Sequence, residues 1–351
     1  MSLMSRFILF FLALAAMPAV AQPLLPQEQR TKGAGEMTAE QIMTQFRRDQ
    51  INILALRGEA PSLVSAALLA QTDAKDPNRP AALKTPALLA HAQRTAPDDI
   101  LLWWSAAGVE CREDAKNCPQ VETLQKLEAL DAQNAAVWAL SLLRAQSTGD
   151  TPGARAALTS AAQAQRYEDY FGKTMAMLDD AEHILPVSDE VIRASGQLNA
   201  SVEGFQLVNA AGVAARAMPP IAAAVTAACR DAAAPSDLNA DCIAVARKMA
   251  ASTSLAAKSA GLNLLVALLP SGSDQDAARD QERALKWQTV RIGELAELLA
   301  DDQRVTRTYT QALHESGTES AAVLAVLRSQ GAALQPPADW HPPDSEVPPR
   351  P

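Results

Sequence analysis

The chain has 351 residues, a formal net charge of -9, and a composition that is 48% hydrophobic but only 4% aromatic. An acidic chain without a cluster of Lys or Arg has no general attraction for nucleic acid or anionic lipid, so neither is expected as a partner. Alanine and leucine dominate, strand-like alternation is scarce, and hairpin dipeptides are rare, which points to an all-α fold.

The N-terminus reads "MSLMSRFILFFLALAAMPAVAQ". Arg6 supplies a positive start, Phe7 to Met17 an apolar core, and Ala19-Val20-Ala21 a small-residue cleavage site, so residues 1–21 are expected to be a signal peptide. The apolar core has 11 residues, against the roughly 20 that a membrane-crossing helix needs. The chain is therefore expected to be exported, periplasmic in a Gram-negative source and secreted otherwise. Removing residues 1–21 takes away Arg6 and no acid, so -9 becomes -10. Later apolar runs such as 261–269 are too short to span a bilayer, and no stable membrane insertion is expected.

A linker is expected over 22–36, followed by helices. Apolar spacing and Gly/Pro punctuation predict them over 37–57, 61–72, 84–95, 98–109, 119–130, 134–147, 152–165, 168–185, 188–217 with a break near Gly196, 220–233, 238–252, 254–269, 275–300, 302–316 and 319–332. Short loops between them favour antiparallel hairpins. Four cysteines follow the cleavage site, spaced as Cys111/Cys118 and Cys229/Cys242. Oxidising export favours local disulfides within each pair. Zinc is the competing reading, but no histidine lies near either pair and the spacing suits neither a finger nor a ribbon.

The segment 131–164 resembles one repeat of the tetratricopeptide (TPR-like) family. Asp131-Ala132-Gln133-Asn134 stands at that family's D-P-x-N turn, Trp138 at its first-helix aromatic position, and Gly149-Asp150 at its inter-helix turn. Ala154, Leu158 and Ala161 match the small-large-small face of its second helix. Upstream, Pro97 lies six residues before Trp103, so the resemblance covers about 97–165, with the register between Trp103 or Trp104 and Trp138 open. It implies a superhelical array of helix hairpins over 37–186, with a second helical region over 187–334, and it implies protein or peptide partners.

The tail 335–351 has seven prolines in 17 residues and is expected to be extended and disordered, or else a docking segment anchored by Trp340. No phosphate loop, dinucleotide fingerprint or nucleophile elbow occurs, and no cofactor is expected. The best local constellation is "LDDAEH", where Asp179, Glu182 and His183 share a helix face as either a metal half-site or a polar surface. Six of the eleven aromatics beyond residue 21 fall between 103 and 171. Trp104, Trp138, Tyr167, Tyr170 and Phe171 are the candidate binding residues of a concave groove, with core packing as the alternative. Trp104 is expected to be less buried than Trp103. The functional expectation is a binding or scaffold protein of the cell envelope; the alternative is an exported helical enzyme with a dispersed site.

Overall fold

The computed structural model describes residues 37–72, 76, 78–230 and 237–342. The expected signal peptide, the linker over 22–36 and the tail beyond 342 lie outside the described residues. The described residues form seventeen α-helices, one 3-10 turn (Ala81–Leu83) and no strand, so the all-α expectation holds.

Helices α1 (Ala39–Arg57), α2 (Ala60–Thr72) and α3 (Thr85–Thr95) come first. Thr38 and Gln41 form a reciprocal capping box at the start of α1, and Gly58, at φ 71°, ends it. Next come α4 (Ile100–Glu113), α5 (Val121–Asp131), α6 (Ala135–Thr148) and α7 (Thr151–Gln163). The cap of α7 is Asp150, whose carboxylate accepts from Gly153 N at 2.9 Å. Then follow α8 (Phe171–Glu182), α9 (Asp189–Ser195), α10 (Val202–Ala217) and α11 (Ile221–Cys229). Gly196, at φ 80°, makes the break expected there. The last six are α12 (Asp237–Ala250), α13 (Leu255–Leu268), α14 (Ser273–Glu294), α15 (Ala296–Asp301), α16 (Gln303–Ser316) and α17 (Glu319–Ser329). The single helix expected over 275–300 divides at Leu295. That division turns α15 so that Leu299 is buried and the Ala300 carbonyl accepts from Ser201 N at 2.9 Å, at the start of α10.

Two apolar cores form. The first gathers Trp103, Trp104 and Ala107 of α4 with α5, α6, α7 and α11 to α13, plus Ala278 and Leu285 of α14. The second gathers Leu102, Ala106 and Val109 of the same α4 with α1 to α3, α8, α10, α16 and α17. Helix α4 is the wall between them, which is why it is apolar on every side. A third, smaller cluster joins Phe46 to Val191, Ile192 and Phe205.

Neighbouring helices do pair as hairpins, α6 on α7 and α12 on α13 among them. In an open solenoid each hairpin meets only its neighbours in sequence. Here α6 also meets α11, α7 meets α12, α1 meets α9, and α8 meets both α10 and α16. Both main cores draw residues from either side of position 186, so the two regions expected from sequence are interleaved rather than successive.

Two disulfides link Cys111 to Cys118 and Cys229 to Cys242, with Cα atoms 4.6 and 5.7 Å apart, as the spacing predicts. No single helix among the described residues is long and apolar enough to cross a membrane. The bent pair α10 and α11 is so only when both are taken together, and both contribute residues to the cores. The described part of the tail has no helix, as expected, but it is not free: residues 333–340 are held against α14.

Candidate functional site

The turns that precede α4, α6 and α8 are built alike. Asp99, Asn134 and Asp169 stand 35 residues apart, and each side chain accepts from the amide two residues on, at Leu101, Ala136 and Phe171. Trp103 Nε1 donates to the Pro97 carbonyl and Trp138 Nε1 to the Ala132 carbonyl, both at 2.8 Å and both six residues back. Trp103 is therefore the counterpart of Trp138, and Trp104 is not.

The aromatic groove does not form from the residues expected to line it. Trp104 is 0% exposed and Trp103 8%, the reverse of the expected order. Both tryptophans lie within the arc of α4 that the first core covers, so neither faces solvent. Trp104 instead packs on Tyr170, with ring centroids 5.2 Å apart. Tyr167 and Tyr170 are buried too, while Trp138 and Phe171 are half-buried against different cores. Tyr170, at φ 57°, donates its hydroxyl to Asp131, whose other oxygen takes Arg166 at 2.6 Å. Burial and the Asp131 charge hold the Tyr170 phenol above its ordinary range.

Of these five residues Tyr167 borders a cleft that carries three cationic side chains on a largely apolar lining. A cavity of about 420 Å³ lies between the connector Gln165-Arg166-Tyr167 and the Ala244, Arg247, Lys248 and Ala251 face of α12. The α12 residues recur at i, i+3, i+4 and i+7, which puts them on one stripe. Ala244 and Ala251 leave room, and Arg166, Arg247 and Lys248 supply charge. Lys248 Nζ donates to the Ala162 carbonyl at 2.7 Å, satisfying a free acceptor at the end of α7. Desolvation lowers the Lys248 ammonium below its ordinary pKa. Arg247 pairs with Asp274 at 3.2 Å where both side chains are solvent-exposed. Such a surface pair is worth only about 0–1 kcal/mol, so an incoming anion can replace Asp274 at little cost. A second cleft of about 310 Å³, lined by Leu54, Val64, Leu101, Leu102 and Met177 among others, is mostly apolar and carries Arg57, Asp99 and Asp180.

Tyr167 also reaches a junction of acids at the start of α13. Its hydroxyl is buried without a hydrogen-bond partner. Burial and the nearby Asp169 charge push that phenol up. Ser254 caps α13 and hydrogen-bonds Asp169, while Leu255 N donates to Glu319 at 2.8 Å. Two carboxylates thus share one helix N-terminus. Burial raises Asp169 to about 6, against the Ser254 and Phe171 hydrogen bonds, and the Glu168 charge adds to the rise. Burial raises Glu319 to about 7, against the Leu255 amide, and the Asp169 charge adds to it. Both groups hold protons in the folded chain that the unfolded chain has already released. Stability is then highest near the unfolded carboxylate range, falls as pH climbs through about 6 and 7, and levels off above. The Glu319→Gln variant is expected to lose less stability than the parent between pH 4.5 and 8, the difference being on the order of 2–3 kcal/mol. Urea unfolding at both pH values checks this; equal losses in the two proteins would contradict it.

The "LDDAEH" residues separate. Asp179 takes the His314 ring at 2.9 Å, Glu182 takes Arg47 and Gln50, and His183 Nδ1 lies 2.7 Å from the Asp179 carbonyl. No metal half-site results. Among the described residues no three His, Cys, Asp or Glu side chains are grouped to hold a metal ion. Sequence reading missed Arg166, Arg247 and Lys248; the Ala244 to Ala251 stripe was the available signal, but its opposite wall comes from 77 or more residues away. Comparison with known protein families, curated proteins and solved structures finds no match to this chain.

Proposed function

We propose that this chain is an exported helical binding protein that holds a carboxylate-bearing segment of a protein or peptide in the cleft between α12 and residues 165–167. One observation carries the proposal: on a chain of net charge -9, this cleft is lined by three cationic side chains and no acid. The screening length is about 8–10 Å at physiological ionic strength, so the acids that matter to a ligand in the cleft are the near ones, Asp131 on Arg166 and Asp274 on Arg247, and the exposed Asp274 is the one a ligand carboxylate displaces. Export, periplasmic in a Gram-negative source, is supported by the apolar N-terminal segment and by the two disulfides. The turns repeated at 35 residues support the likeness to tetratricopeptide proteins that sequence suggests, and with it a binding rather than a catalytic role. Asp169 and Glu319 have the raised pKa of general acids, but neither lines either of the two clefts described.

The test is calorimetric titration with matched acidic, neutral and basic peptides. The acidic peptide is expected to bind best, to weaken steeply with added salt, and to lose about tenfold in affinity with Arg247→Gln. Equal binding of the three peptides, or an Arg247→Gln protein that binds as tightly as the parent, would refute the proposal.

A further inference from the structure

Helix α14 carries Arg283, Trp287, Gln288 and Arg291 along one flank, and residues 333–340 of the chain lie across it. Trp287 Nε1 donates to the Ala333 carbonyl at 2.6 Å and Gln288 Nε2 to the Leu334 carbonyl at 3.0 Å. The Arg283 guanidinium donates to the carbonyls of Pro337, of Ala338 at 3.0 Å and of Trp340 at 2.7 Å. The Trp340 ring stands edge-on to Trp287, with centroids 5.3 Å apart, and Arg283 sits 5.9 Å over Trp340. Arg291 lies 5.4 Å over the Trp287 ring and completes the stack.

Every hydrogen-bond acceptor in this contact is a main-chain carbonyl; of the side chains, the Trp340 ring stacks on the flank and Leu334 packs against the second core. A flank that reads carbonyls selects a backbone shape rather than a residue sequence. Pro336 and Pro337 restrict that shape: each fixes φ, neither offers an N–H, and both lose little entropy on binding. After them the chain turns, Trp340 N donating to the Pro337 carbonyl at 3.1 Å, so that the carbonyls of Pro337, Ala338 and Trp340 all face the Arg283 guanidinium.

We infer that this flank of α14 is a recognition site for peptide segments in which a proline pair leads into a turn that ends on a tryptophan three residues later, and that residues 333–342 occupy it in cis. Gly331, at φ 65°, turns the chain from the end of α17 onto the flank, so the tether is short. A short tether gives an effective local concentration on the order of millimolar. A second segment of the same chemistry therefore gains the site when the chain's own is loosened.

The experiment uses the full chain and a labelled peptide of residues 333–342. Trp340→Ala in the chain removes the anchor of its own segment, and the labelled peptide is expected to bind this variant at least tenfold tighter than it binds the parent. Adding Arg283→Gln to the variant is expected to cost tenfold or more, and so is replacing both prolines of the peptide by alanine. The inference is overturned if the Trp340→Ala chain does not bind the peptide, or if Arg283→Gln or the proline-free peptide makes no difference. A parent chain that dimerises by exchanging tails overturns cis occupancy in favour of a second copy. A further measurement needs no variant: in isotope-labelled parent chain, excess unlabelled peptide should move the Trp340 indole N–H signal toward its free position. An indole signal unmoved at millimolar peptide contradicts exchange at this site.

Discussion

Gly108→Ala is expected to cost about 3 kcal/mol or more of folding stability, measured by denaturant unfolding. Gly108 sits mid-way along α4, where a Cβ would stand 1.7 Å from the Ala217 carbonyl oxygen and 2.9 Å from its carbon. The obstacle is backbone at the end of α10, not the tip of a side chain that can swing aside. Arg112 reaches the same place, donating to the Arg216 carbonyl at 3.2 Å. Relief requires α4 and α10 to separate, and α4 is packed on both faces, so each core would lose contact at once. Gly293→Ala is the control: nothing lies within 4 Å of a Cβ there, and alanine is expected to be neutral or stabilising by up to about 1 kcal/mol. A Gly108→Ala protein as stable as the parent would mean that α4 does not hold the position described.

The second large effect is expected at Glu182, which is 0% exposed at the end of α8. Its carboxylate receives Arg47 at 2.7 Å and Gln50 at 2.9 Å, both from α1, and its carbonyl receives Gln206 at 3.0 Å. Arg47→Met leaves that carboxylate enclosed with one neutral donor. Removing one partner of a buried pair typically costs about 3–5 kcal/mol, most of it the penalty of the stranded charge. The double variant Arg47→Met/Glu182→Met removes the charge as well, and is expected to recover much of the loss. Equilibrium unfolding of the three proteins measures both steps. A double variant no better than Arg47→Met alone would show that the pair's hydrogen bonds, not the stranded charge, dominate.

Helix placement was largely legible because its causes are local. Gly58, Gly149 and Gly196 stop helices at positive φ, and Asp99, Asn134 and Ser188 start them with side-chain caps. The disulfides were legible for the same reason, each closing a short stretch of chain. The six-residue offset of Trp103 from Pro97 has its physical counterpart in the hydrogen bond between them, which Trp138 and Ala132 repeat, yet the exposure inferred for Trp104 was wrong. On one helix, adjacent residues diverge by about 100°, and that spares one of them from burial only if the covered arc is narrower than that. Both tryptophans fall within the arc covered by the first core, to which α11 to α13, all beyond residue 187, contribute. The Arg47–Glu182 and Asp179–His314 contacts each join residues 135 apart, and no periodicity announces such partners. The docking of the tail was hidden differently: its acceptors are backbone carbonyls, which every residue has.

Binding of a partner in the cleft between α12 and residues 165–167 is read by amide hydrogen exchange with and without a glutamate-rich peptide. Added protection is expected at residues 165–167 and 244–251, with the cleft around Leu54, Leu101 and Met177 unchanged. Protection confined to that apolar cleft, or no protection at either place under saturating peptide, would contradict it.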